Sequence, residues 1–130
     1  MRAAMLTAAA LVACPARSCT GGAAVDLSSL VASGASPERG RELFLKYCAL
    51  CHGARADGRG VRSGFERPPA DFTSPRWQRP EEAARVMQAI RDGVPDSSMP
   101  SWNMLGDKAV ADLAAYVLSV ARVSSASRPP

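Results

Sequence analysis

The chain has 130 residues, 47% of them hydrophobic but only 5% aromatic, and a formal net charge of +4. This length allows one domain with little left over, and a core so rich in alanine is thin for its size, a deficit that a large flat apolar cofactor would fill. The mild positive charge suits a basic surface that docks an acidic partner, and no Lys/Arg run alternates with aromatics as nucleic-acid binding would require.

The N-terminus reads as an export signal over residues 1–20. Arg2 is a minimal charged start, and the mainly apolar run from Ala3 to Ala13 is shorter than the roughly 20 residues that span a bilayer. Leu11-Val12-Ala13-Cys14 resembles a lipobox, in which the cysteine is lipidated and anchors the protein to the membrane. Pro15 departs from that pattern, and an ordinary secretory signal cleaved further on is the other reading. Either route leads to the periplasm or cell envelope. Cys19 is a spare thiol beside a lipidated Cys14, a partner for an unmodified one, or part of the removed signal. Residues 21–35 are rich in Gly, Ala and Ser without a sustained period, and read as a flexible tether.

The remaining domain, 36–123, predicts about three main helices. The first starts at Ser36, a good N-cap, with Pro37 and Glu38 suited to the first turn. Its stripe of Leu43, Phe44, Tyr47, Cys48 and Cys51 carries it to His52-Gly53. Gly40 inside it is costly unless another helix approaches closely. Residues 53–79 hold too many glycines and prolines for a long element, and so long a loop is reasonable if it wraps a cofactor. A second helix runs over 80–92, with Ala83, Val86, Met87 and Ile90 on its buried face and Glu81 spaced to pair with Arg85. Gly93 and Pro95 stop it. The third runs over 107–122 on Val110, Leu113, Val117 and Val120. Residues 124–130 read as a disordered tail. With no convincing strand and no repeat, the fold class is all-α.

The chemistry is concentrated in Cys48-Ala49-Leu50-Cys51-His52. On a helix the two thiols are one turn apart and His52 follows Cys48 by four residues, so all three share a side. C-x-x-C-H is the signature of c-type haem attachment. It assigns Cys48 and Cys51 as thioether links and His52 as an axial ligand of one haem c iron. A zinc site needs four ligands, but the other two cysteines lie in the signal and tether and His52 is the sole histidine. A thioredoxin-like dithiol needs a βαβ context, which is missing. For the sixth position, Met1 and Met5 fall in the signal, Met87 on a core stripe, and Met104 just before the third helix. Met99 is the best candidate, because Pro100 biases it to an extended conformation in an irregular loop. A gap-filling methionine is its bland reading. His52/Met99 ligation fills both axial positions and raises the reduction potential.

These residues resemble a family. Gly40 to Arg122 is similar to a class I mono-haem cytochrome c domain, of the bacterial branch that includes oxidase-associated subunits. Gly40, Phe44 and Tyr116 match its helix-crossing glycine and aromatics. Pro68-Pro69-Ala70-Asp71-Phe72, Gly93-Val94-Pro95 and Met99-Pro100-Ser101-Trp102 match its later segments. The resemblance implies a cytochrome c fold wrapped around one covalently bound haem, and single-electron transfer between redox protein partners, with no bond-making on a substrate. The alternatives are a haem-based ligand binder or sensor, and a relay subunit of a larger oxidase or dehydrogenase. Val61 stands where the family has a proline whose carbonyl accepts the histidine's second N–H. Val61 and Pro68 are the candidate acceptors here. Trp77 and Trp102 are sized to shield a haem edge or to pack the core. Arg55, Arg59, Arg62 and Arg67 form either a solvated loop or a positive rim.

Overall fold

The computed structural model describes residues 26–126. The predicted export signal with Cys14 and Cys19, the start of the predicted tether and the last four residues lie outside that range. The described residues are helical, with no strand among them. In chain order the helices are α1 (Leu27–Ala32), α2 (Pro37–Tyr47), α3 (Ala49–His52), α4 (Pro80–Asp92) and α5 (Asp107–Ala126). Single 3₁₀ turns lie at Pro75–Gln78 and Asn103–Leu105.

The frame is the crossing of α2 and α5. Ser36 caps α2 by accepting from the Arg39 amide at 3.2 Å, and Pro37 opens the first turn. At Gly40 the two helices touch. A Cβ there would collide with the Asp112 carbonyl oxygen and sit 2.6 Å from its carbonyl carbon and 2.8 Å from Tyr116 Cβ. The glycine thus pays in helix propensity for contact that no other residue permits. Asp112, itself buried, clamps the crossing. Its carboxylate accepts from the Ser36 amide at 2.7 Å and Arg39 Nε at 3.0 Å, with Lys108 Nζ 3.5 Å away.

The predicted first helix is in fact two. Cys48, at φ −113° and ψ −30°, interrupts it, and α3 is a separate single turn ended by Gly53. The second helix has the predicted bounds, with Ala83, Val86 and Ile90 buried and Met87 packed against the core. Arg85, however, pairs with Glu82 at 3.5 Å, while Glu81 faces Arg79 at 4.0 Å. The predicted Glu81–Arg85 pair is not formed. The last helix continues to Ala126, four residues past the predicted end, so 124–126 are helix and not tail.

The tether expectation also needs correction from residue 27 onward. Asp26 and Ser29 form a reciprocal capping box that starts α1. Leu30 and Ala35 are buried in the same cluster as the α5 residues Leu118 and Ala121. A six-residue helix is marginal alone; tertiary burial of one leucine makes the difference.

Candidate functional site

The long loop after α3 is ordered by the helix end it covers. The last carbonyls of a helix lack partners within it. Here Arg62, Gly60 and Gly58 donate their amides to the carbonyls of Leu50, Cys51 and His52, at 3.0, 3.1 and 2.8 Å. A side chain at Gly60 would strike the Leu50 and Cys51 backbone, so the glycine lets the loop lie flat on α3. The Phe72 amide then bonds the Ala56 carbonyl at 2.8 Å, bringing the loop back beneath the histidine.

His52 is held on both sides. Its ring stacks on Phe72 with centroids 5.0 Å apart and lies 6.2 Å from Phe44. Phe44 continues to Tyr116 at 5.1 Å and Phe72 to Trp77 at 4.9 Å, so a row of rings ties α5, α2, α3 and the loop together. Nδ1 of His52 lies 3.3 Å from the Ala70 carbonyl oxygen. With the proton on Nδ1 that contact is a hydrogen bond, and Nε2 keeps a free lone pair. Neither Val61 nor Pro68 is the acceptor. Val61 is 87% exposed, and the role falls to the residue after Pro68-Pro69. Burial pushes the His52 pKa down, opposed by the Ala70 contact, so the ring is neutral and able to ligate at physiological pH.

Cys48 and Cys51 are both partly buried and free of disulfides. Burial, with Cys51 adding to it, pushes the Cys48 thiol up to about 11. Dithiol redox centres and metal thiolates need the opposite shift. Among the described residues no cluster of three or more His, Cys, Asp or Glu could hold a metal by itself.

The methionine loop is pinned just as closely. Gly93 ends α4 at φ +79°, and a Cβ there would sit 2.9 Å from the Met99 carbonyl oxygen. Val94 donates to that oxygen at 3.2 Å, and the Met99 amide donates to Ser97 Oγ at 3.2 Å. Trp102 N bonds the Ile90 carbonyl and Ser101 Oγ the Arg91 carbonyl, at 2.9 and 2.6 Å.

All four predicted site residues, Cys48, Cys51, His52 and Met99, line one cavity of about 400 Å³. Its volume falls within the ~300–1,000 Å³ of cofactor sites. Phe44, Phe72, Val86, Ile90, Leu113 and Val117 supply apolar wall from four elements. Met87 is not part of the lining, and Met104 is 80% exposed and also outside it. Two thiols and an imidazole at one wall, a thioether on the methionine loop and apolar side chains between them fit a haem. Trp77 and Trp102 both line the cavity, but the Trp77 N–H is already donated to the Asp71 carbonyl at 2.8 Å. Of the four loop arginines only Arg67 reaches the lining; Arg55 pairs with Asp57 at 3.1 Å, and Arg62 sits over the Phe65 ring. Sequence reasoning missed Arg76, Arg85 and Glu82, which line the cavity as well. Local spacing hides them: Glu82 and Arg85 hold ordinary positions on α4 and Arg76 lies in a short 3₁₀ turn, and nothing local says which of these abuts a cofactor space.

The family model for the cytochrome c oxidase, cbb3-type, subunit III matches residues 35–117. A curated relative, the cbb3-type cytochrome c oxidase subunit CcoP of Azospirillum brasilense, is 31% identical over 84 residues, which cover 64% of this chain and 28% of the relative. A solved structure, the reducing HAO-like protein complex of Kuenenia stuttgartiensis, superposes with a TM-score of 0.55 at 25% identity, over 72% of this chain and 46% of that one. The chain thus spans under a third of that relative and under half of the solved one. The Cys48-Ala49-Leu50-Cys51-His52 motif and the apolar cavity lie inside the matched segment, and the chain belongs to the family of the cbb3-type cytochrome c oxidase subunit III: it is an electron-transfer cytochrome c domain whose cofactor is covalently attached haem c with its iron.

Proposed function

We propose that this domain carries single electrons between redox proteins of the periplasm or cell envelope through a six-coordinate haem. Cys48 and Cys51 would hold the macrocycle by thioether bonds, and His52 and Met99 would bind its iron. The observation that carries this reading is the convergence of these four side chains on one apolar cavity. When bound, the haem supplies a one-electron ferrous/ferric couple. The protein's own work is positional. Ala70 orients the His52 ring, the amides of Gly58, Gly60 and Arg62 brace the attachment helix, and Gly93 lets the methionine loop close against α4. The apolar wall excludes water, which raises the weight of every nearby charge.

The test is the absorption spectrum of the purified holoprotein, reduced with and without carbon monoxide. A low-spin spectrum unchanged by carbon monoxide at neutral pH is expected. Ready binding would overturn the six-coordinate reading in favour of a ligand binder or sensor. Met99→Ala should turn the site high-spin or open it to external ligands; an unchanged low-spin spectrum would refute Met99 as ligand.

A second reading, a relay subunit of a larger oxidase, is favoured by the match to CcoP, whose length the chain covers only in part. Co-purification of an oxidase with the tagged native chain would support it over a free carrier. On either reading the partner surface is basic. Exposed Leu50 and Val61 are brought together by the Arg62–Leu50 backbone bond, and the exposed Arg55, Arg59 and Arg62 belong to the same loop as Val61, which suits an acidic partner. Export and a lipid anchor on Cys14 belong to this proposal as well; mass spectrometry of the mature N-terminus would show a diacylglyceryl cysteine or a plain cleavage site.

A further inference from the structure

The cavity wall contains one acid. Of the charged side chains lining it, Arg67, Arg76 and Arg85 are exposed, whereas Glu82 is only 3% exposed. The cations stand in water and are screened there; the anion is removed from water, so its field reaches further into the cavity. Its one charged contact is long: Arg85 Nη1 lies 3.5 Å away, and the Arg85 side chain is 68% exposed. Glu82 is the third residue of α4, after Pro80 and Glu81, where the positive end of the helix favours a negative charge.

We infer that Glu82 sets the reduction potential of the domain, its negative charge in the cavity wall favouring the oxidised state of the cofactor. This rests on the reading that haem occupies the cavity. Reduction adds one electron from a donor protein, and the net charge of the site falls by one with no proton required. A fixed negative charge in a water-poor wall opposes that change. Glu82 acts as a positioning charge, touching neither ligand of the iron.

The experiment is a spectroelectrochemical titration of the holoprotein and its variants, each first checked for an unchanged low-spin spectrum. Glu82→Gln should raise the midpoint, changing the reduced-to-oxidised ratio at a given potential by about tenfold, or about 59 mV for a one-electron couple. Glu82→Asp keeps the charge and should recover most of the wild-type value. Arg85→Gln removes the partial neutraliser and should lower the midpoint. A midpoint for Glu82→Gln equal to or below wild type would overturn the inference. If that variant fails to take up haem, the other two decide: an Arg85→Gln midpoint that is unchanged or raised overturns it equally. A wild-type protein without a low-spin c-type spectrum would instead refute the reading on which this rests.

Discussion

Cys48 is at once the last residue of the α2 stripe and the point where the helix breaks. With its φ widened to −113°, α3 starts as a separate turn, and the loop amides below the attachment motif help to hold it. The partly buried Cys48 thiol, its pKa pushed up to about 11 chiefly by burial, suits one irreversible bond better than cycling chemistry. Cys48→Ser or Cys51→Ser should each leave haem attached through a single thioether, and the double variant should lose it. Haem-stained denaturing gels read this directly: retained stain in the double variant would contradict both assignments. At the same scale, Asp112 is an acid whose burial opposes ionisation, yet Arg39, the Ser36 amide and Lys108 outweigh that and hold its pKa below the usual value. The folded state therefore binds fewer protons than the unfolded one. The stability from Asp112 is complete above its unfolded pKa near 3.9 and is lost as pH falls through the folded value. Asp112→Asn should cost about 1–3 kcal/mol at pH 7 and flatten the acid limb of the stability curve, measured by denaturant melts between pH 3 and 7.

At the scale of elements, the α2–α5 crossing bears the frame and Gly40 is its pivot. Gly40→Ala improves helix propensity yet drives a methyl group into the Asp112 backbone, which cannot retract as a flexible side chain would. We expect a loss of about 1–3 kcal/mol from overpacking, read as a lower denaturation midpoint with an unchanged slope. A neutral or stabilising result would mean the helices cross further apart. The same α5 surface receives α1, so the chain entering the domain packs beside the last turns of the final helix. Much of this was legible. The α4 bounds and the start of α5 follow from Pro, acidic first turns and Gly stops. The α1 helix was hidden, because a single buried leucine carries no period. The Cys48 break was hidden, because the apolar stripe runs unbroken through it.

For the molecule as a whole, three exposed arginines, Arg67, Arg76 and Arg85, line the cavity, while apolar Leu50 and Val61 are exposed in and beside the attachment motif. Reversing Arg55, Arg59 and Arg62 to Glu should slow electron exchange with an acidic redox partner by about tenfold or more at low salt, with the difference closing as ionic strength rises. Stopped-flow rates against salt check this; equal rates and slopes would dismiss the basic face as a docking surface. No helix among the described residues is long and apolar enough to cross a membrane.

By itself the sequence determined the cofactor class and its attachment, because C-x-x-C-H and a single histidine leave the chemistry no other donor set. It also singled out Met99 over Met87 and Met104 by local backbone bias, and among the described methionines Met99 alone lines the cavity with His52. The tertiary structure alone decided what surrounds those residues. A backbone carbonyl such as that of Ala70 has no signature in the side-chain text, so the acceptor for His52 became visible only when the loop folded back. The same holds for Glu82: a carboxylate in a first turn reads as a solvated cap until packing against the cofactor space takes it out of water.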